Sequence, residues 1–101
     1  MNAEYFDKQI HEELAGAKDY IMRAIEIRPM HAPWSKELVE MSSAELTHAT
    51  KLYRMFQEYY AKFKETYQEI PEYIQKTYDC VSKDFMNCSA EIKMMHQAYN
   101  T

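Results

Sequence analysis

Apolar side chains recur at intervals of three and four residues along three segments of the chain, which is the spacing of one face of an α-helix. The apolar positions of the first segment are Phe6, Ile10, Leu14, Ala17, Tyr20, Ile21, Ala24 and Ile27. Those of the third segment are Ile74, Tyr78, Val81, Phe85, Cys88, Ile92, Met95 and Tyr99, with no carboxylate or imidazole among them. Each stripe predicts a helix that turns this face towards a core.

The second segment carries a stripe of the same kind, but ionisable residues interrupt it. Its apolar positions are Leu38, Met41, Leu52, Met55, Phe56, Tyr59 and Phe63. Glu45 and His48 occupy the positions that complete the spacing in the middle of this stripe, and Glu13 lies inside the first stripe. Burying an unpaired carboxylate is costly, so these three side chains require a partner.

Three prolines divide the chain. Pro29 and Pro33 bracket a short turn, and Pro71 follows a polar patch. The helices predicted between these breaks span about residues 3–28, 35–67 and 71–99. Ser35 is the predicted N-cap of the second helix, and Pro71 is predicted at the first position of the third. Because no Gly or Asn closes the second helix, Pro71 either ends it or only kinks one longer helix.

Composition restricts the class of protein. A chain of 101 residues predicts one all-α domain over residues 1–101, and a single Gly argues against glycine-rich phosphate loops and tight hairpins. The net charge is −4 and the charges are interspersed, which excludes a basic surface for nucleic acid. No apolar run approaches the roughly 20 residues that span a bilayer, and the polar start lacks the apolar region of a secretory signal. We therefore expect a cytoplasmic protein with no nucleic-acid or membrane partner.

Cys80 and Cys88 are eight residues apart in the third predicted helix, or about 12 Å along its axis. This separation is beyond the reach of a disulfide within one helix. Free thiols are therefore predicted, with an intermolecular bridge as the alternative.

Glu13, Glu45 and His48 can converge. Glu45 and His48 are spaced i, i+3 and project from the same face of their helix. Antiparallel pairing of the first two helices around the turn at 29–34 brings position 13 to within about one turn of position 45. Two carboxylates and an imidazole suit a transition metal such as iron or manganese. Tyr20, two turns from Glu13 on the same side, can either hydrogen-bond a ligand or pack in the core.

The flanking residues resemble the rubrerythrins of the ferritin-like superfamily. The segment from Glu13 to Tyr20 resembles their first-helix Glu, which is also followed by a Tyr seven positions later. The segment from Glu45 to Phe56 resembles their second helix, in which Glu-x-x-His is followed by Ala and then by a Lys/Arg-Leu-aromatic run. About residues 3–66 carry this resemblance. The number of residues between Glu13 and Glu45 is also similar to the spacing in that family.

The resemblance implies a di-iron site, of which this chain carries half. Rubrerythrins take a second Glu-x-x-His from further helices, whereas the third helix here contains none, and its best carboxylate, Glu91, lies at the border of the apolar stripe. In the similar encapsulated ferritins, two half-bundle chains dimerise around the metals. By that resemblance we expect a four-helix bundle completed in a homodimer or higher homo-oligomer, with Glu45 bridging the metals and Glu13 and His48 as terminal ligands.

The function implied by the resemblance is oxidation of Fe(II) with oxygen or peroxide. A rubrerythrin-like peroxide reductase is an alternative, although the Cys-x-x-Cys pairs of a rubredoxin domain are absent from the sequence. A second alternative is a metal-free helical assembly protein. In that case the three residues would form a buried polar network with Lys18 or Arg54, and this network would set the register of the helices.

Overall fold

The computed structural model describes residues 1–101 and confirms an all-α fold. Three helices follow one another, α1 (Ala3–Ile27), α2 (Ala32–Thr66) and α3 (Glu72–Tyr99), and no strand is present. The molecule is elongated, measuring 56 × 20 × 16 Å, because α1 and α2 form one long antiparallel hairpin against which α3 packs. No helix combines the length and the apolar character that crossing a membrane requires.

The predicted face of α1 is the buried one. Phe6, Ile10, Leu14 and Ile21 are almost completely buried, as are Ala17 and Ala24 between them. Asn2 caps the helix as its side-chain oxygen accepts a hydrogen bond from the backbone N–H of Tyr5 at 2.9 Å. The hydrophobic pattern therefore locates both the start and the inner face of α1.

The predicted start of α2 is wrong. The helix begins at Ala32, with Pro33 in its first turn, and His31 rather than Ser35 is the N-cap. The His31 ring nitrogen accepts a hydrogen bond from the N–H of Trp34, a capping role that is less common for His than for Ser. Ser35 lies inside the helix, fully buried, where its hydroxyl donates to the Ala24 carbonyl at 2.5 Å.

The buried face of α2 differs from the predicted one, because small residues occupy most of it. Its buried row is Ser35, Ser42, Ala49 and Phe56, at intervals of seven residues, and Tyr53 lies beside it. Of the predicted apolar stripe only Phe56 belongs to this buried row, while its other members lie beside the row and stay partly exposed, with Met41 at 44%. Small side chains let α1 approach α2 closely, so here helix proximity decides the buried face more than side-chain hydrophobicity does.

Two buried hydroxyls join all three helices. Ser42 donates to the Ala17 carbonyl at 2.6 Å, so the hydrogen bond of 2.9 Å between Ser42 and His96 of α3 has the His96 Nε2–H as its donor. Seven residues earlier on α2, the Ser35 hydroxyl donates to the Ala24 carbonyl and accepts a hydrogen bond from the Tyr99 hydroxyl at 3.0 Å. These contacts fix the register of the hairpin, because they pair positions 35 with 24 and 42 with 17.

Replacing Ser42 by alanine is expected to lower the free energy of unfolding by about 1–3 kcal/mol, because the Nε2–H of His96 loses its acceptor in a half-buried setting. Chemical denaturation followed by circular dichroism measures this change. The exposed neighbour Ser43, whose hydroxyl makes no hydrogen bond, is the matched control, and its alanine variant should stay within about 0.5 kcal/mol of the parent. Equal effects of the two variants would show that the Ser42 contact contributes nothing.

Pro71 breaks the chain into separate helices and does not merely kink one. Residues 67–71 lie outside both helices. The prediction of Pro71 at the first position of α3 is wrong, because Pro71 is extended and directly precedes Glu72, the first residue of the helix. The following helix lies along one side of the hairpin only. It contacts α1 through the Lys18–Glu91 ion pair at 3.0 Å, and α2 through stacking of Phe85 on Tyr53.

The side of the hairpin away from α3 is not covered within the chain, and we call it the open face. On α2 it presents Trp34, Leu38, Met41, Glu45, His48, Leu52, Met55, Tyr59 and Phe63, which follow one another at intervals of three and four residues. On α1 it presents Glu13, Gly16 and Tyr20. The open face therefore carries both the predicted apolar stripe of α2 and all three predicted ligands.

A histidine between two aspartates also holds α3 to α1. His11 Nε2 lies 2.8 Å from Asp84 of α3, and Nδ1 lies 2.8 Å from both the carboxylate and the carbonyl oxygen of Asp7. Burial lowers the pKa of His11, but the hydrogen bonds to Asp84 and to the Asp7 carbonyl outweigh it, and the pKa is raised above 6.5. The hydrogen bond from His11 in turn lowers the pKa of Asp84.

This arrangement predicts a pH-dependent stability. The folded chain favours the protonated imidazole, so the stabilisation by His11 is complete below pH 6.5 and is lost as the pH rises through the raised pKa. Between about pH 6 and pH 8.5 the parent should lose more unfolding free energy than the His11→Asn variant does. Lys18→Ala, which breaks an ion pair between α1 and α3, is the control and should keep the parental pH slope. An unchanged slope in His11→Asn would contradict the assignment.

Candidate metal centre

Glu13 projects from the open face of α1 and is mostly buried, with 23% of its side chain exposed. The register fixed by the serine hydrogen bonds places position 13 opposite about position 46 of α2. Glu13 therefore lies level with the segment between Glu45 and His48. Pairing around a turn at 29–34 predicted that Glu13 and Glu45 would be offset by about one helical turn. This offset is absent, because the observed register centres the hairpin between residues 29 and 30.

The structure brings the three predicted ligands together. One donor atom from each of Glu13, Glu45 and His48 lies within 4.8 Å of the others. His48 Nδ1 is 3.6 Å from the Glu13 Oε2 atom. Two carboxylates from α1 and α2 and an imidazole from α2 thus face a common point at the middle of the hairpin, on the face that α3 leaves open.

The surroundings of Glu45 in this cluster disfavour its charged form. The pKa of Glu45 is raised by its hydrogen bond with Glu13, by burial and by the negative charge of Glu13, while His48 lowers it to a smaller extent. Neither carboxylate forms an ion pair with Lys or Arg, since Lys18 pairs with Glu91 and Arg54 makes no ion pair. The polar network with Lys18 or Arg54 is therefore not formed, and the cluster holds two acids in one site without a fixed cation.

One carboxylate oxygen of the cluster has no hydrogen-bond partner. The Glu13 Oε2 atom is buried from solvent and accepts no hydrogen bond. A buried carboxylate oxygen without a donor is costly, and a bound cation would satisfy it. The donor set also suits the metal, because carboxylate oxygens and an imidazole nitrogen are ligands that iron and manganese share. The residues present therefore fit a transition metal.

The only glycine of the chain makes room for this arrangement. Gly16 is one turn after Glu13 on α1, and a Cβ added to it would lie 3.0 Å from the Glu45 Oε2 atom. This distance is shorter than almost all contacts of a real Cβ, so any side chain at position 16 would push the Glu45 carboxylate away. The pattern of hydrophobic residues does not reveal this role, although a single Gly in the interior of a long helix is a signal of close approach.

The other carboxylates near the predicted site take no part in the cluster. Glu12 is exposed on the neighbouring face of α1, and Glu91 is held by Lys18 on the side of α3. Tyr20 is half-buried, and its hydroxyl makes no hydrogen bond within the chain. Its part as a hydrogen-bonding partner of a ligand stays a prediction.

Comparison with known proteins supplies no relative. No protein-family description, no curated protein and no solved structure matches the chain.

Proposed function

We propose that this chain is a ferritin-like di-metal carboxylate protein that binds iron, or manganese, between two copies and oxidises Fe(II). The observation that carries the proposal is the convergence of Glu13, Glu45 and His48 around a buried carboxylate oxygen that has no hydrogen-bond partner. The pattern of these residues along α1 and α2 resembles that of rubrerythrins, and a long antiparallel hairpin is what half of such a four-helix bundle would require.

The need for two copies follows from the donor count and from the position of the cluster. One chain offers two carboxylates and one imidazole, whereas two chains offer four carboxylates and two imidazoles, the set used by dinuclear centres in helical bundles. The cluster lies on the open face, whose apolar row is half-exposed in the single chain. A twofold axis through this face brings the two half-sites together and covers the apolar side chains.

Each residue has a distinct task in this proposal. Glu45, at the centre of the open face, would bridge the two metals, while Glu13 and His48 would each hold one of them. Gly16 keeps the space that the Glu45 carboxylate requires. Hydrogen bonding with Glu13, burial and the charge of Glu13 all raise the pKa of Glu45, and a cation between the two carboxylates would oppose this shift.

Iron bound by these ligands supplies the redox chemistry in which Fe(II) is oxidised and oxygen or peroxide is reduced. The protein binds the ion, orients it and leaves a path for a small oxidant, since His48 is exposed. None of the clefts at the surface of the chain is lined by Glu13, Glu45 or His48. This arrangement favours the ion itself as the substrate.

The experiment is anaerobic titration of the metal-free protein with Fe(II), followed by metal analysis and by sedimentation equilibrium on the same samples. We expect saturation at one iron per chain, a dimer as the smallest loaded species, and oxygen uptake when air is admitted. A chain that binds no iron above the level of a chelator-treated blank would overturn the proposal.

A further inference from the structure

The two halves of the open face differ in shape. At the end of the hairpin away from the turn, α1 and α2 leave an apolar groove of about 530 Å³ lined by Met1, Phe6, Met55, Tyr59, Phe63 and Tyr67, among others. At the other end, next to the turn between α1 and α2, Met30 and Trp34 protrude with 75% and 60% of their surfaces exposed. One end of the face is therefore a depression, and the other end is a projection.

The spacing along α2 makes these two ends equidistant from the metal ligands. The midpoint of Glu45 and His48 lies equally far along the chain from Trp34 and from Tyr59, at about 19 Å along the helix. The same midpoint lies equally far from Met30 and from Phe63. A twofold axis that crosses the helices at the cluster therefore brings the projection of each copy to the groove of the other.

The apolar positions between these ends match in the same way. Across such an axis Leu38 meets Met55 of the partner subunit, and Met41 meets Leu52 of the partner subunit, so apolar side chains face apolar side chains along the whole row. An axis parallel to the helices also joins the two clusters, but it places groove against groove and Trp34 against Trp34. Complementarity of shape favours the crossing axis.

We propose that a second copy of this chain covers the open face about a twofold axis that crosses the helices at Glu45 and His48, with Trp34 of each copy inserted into the groove of the other beside Tyr59. The inference rests on the proposed function, because it starts from the two-copy metal centre, and it adds the residues that hold the copies together. Trp34 is the anchor, since a large aromatic side chain seated in an apolar pocket dominates most interfaces. Residues next to the turn between α1 and α2 thus hold together the two copies that form the metal centre.

Crosslinking distinguishes the two axes. In a background with Cys80→Ser and Cys88→Ala, the variants Met30→Cys and Lys62→Cys are made singly and together, and each is treated with a short bis-maleimide. Both positions are exposed, so folding is preserved. With the crossing axis only the double variant, or a mixture of the two single variants, gives covalent dimers, because identical positions are separated by more than about 40 Å along the axis of the bundle. Dimers from a single variant would overturn the proposal.

Trp34 is the only tryptophan of the chain, so its fluorescence reports directly on the groove. We expect a blue shift of its emission as the protein dimerises, and a dimer that is about tenfold weaker or more in Trp34→Ala. Met94→Ala, which removes an exposed apolar side chain of α3, is the control and should dimerise as the parent does. A dimer that binds metal while Trp34 stays solvated would overturn this inference alone, whereas a chain that stays monomeric with metal bound would overturn the two-copy centre itself.

Discussion

A variant in which Glu45 and His48 are both replaced by alanine is expected to bind no iron or manganese, while its helical content stays unchanged. The substitution removes two of the three donor groups that lie within 4.8 Å of one another and leaves only the carboxylate of Glu13. Both side chains lie on the open face, outside the buried core, and alanine is the best helix former, so α2 is preserved. Metal analysis of protein purified without chelators should fall from about one metal per chain to background, and Fe(II)-dependent oxygen uptake should disappear with it.

The matched control is a double alanine variant at Glu40 and Thr47, two exposed positions of the same helix outside the cluster. It changes the same number of residues and should keep the parental metal content. Unchanged metal content in the Glu45 and His48 variant would remove these residues as ligands. A parent protein that forms a dimer but never retains metal would instead support the metal-free assembly protein.

Most of the inner face of the first helix could be predicted because hydrophobicity and helix proximity agree there, although Tyr20 and Ile27 of the predicted stripe are only half-buried. Large apolar side chains from Phe6 to Ile21 follow one stripe, and this stripe is the buried one. In α2 the two criteria separate. Ser35 and Ser42 are buried because they are small and because their hydroxyls bond to carbonyls of α1, and a pattern of apolar letters assigns no such position to a serine.

The apolar stripe predicted for α2 is present on the helix, but it is not the face that packs against α1 and α3. A sequence pattern shows that a face is hydrophobic and does not show which surface covers it. Within one chain the stripe from Leu38 to Phe63, apart from the buried Phe56, stays partly exposed, because α3 packs on the opposite side of the hairpin. The apolar pattern alone therefore does not identify the covering surface, and in the proposed dimer this surface would be a second copy of the chain.

The three predicted ligands could be selected from the sequence because an ionisable residue within an apolar stripe is conspicuous. Their relative heights along the two helices could be predicted only to about one helical turn, since the predicted loop spans 29–34 whereas the observed loop spans 28–31. Once His31 caps α2 and Ser35 moves into the helix, the hairpin pairs in a register that brings Glu13 level with Glu45 and His48. The contact of Gly16 with Glu45 depends on this register and was not predictable without it.

Gly16 is the position at which stability and metal binding are expected to oppose each other. Its conformation is that of an ordinary helix, with no positive φ, so alanine fits the backbone and should stabilise α1 by about 0.5–1 kcal/mol. The added Cβ, however, would lie 3.0 Å from the Glu45 Oε2 atom and must displace the flexible carboxylate. Gly16→Ala should therefore melt at a higher temperature and bind metal more weakly than the parent.

A graded series sharpens this test. Gly16→Leu fills more of the space in front of Glu45 and should reduce the metal content as far as the loss of the Glu45 carboxylate does, with α1 still helical. Asn87→Ala, which improves helix propensity at an exposed position of α3, is the control for stabilisation alone and should leave metal binding unchanged. If metal affinity is the same in the parent, Gly16→Ala and Gly16→Leu, the Glu45 carboxylate does not reach the metal from the position that Gly16 leaves free.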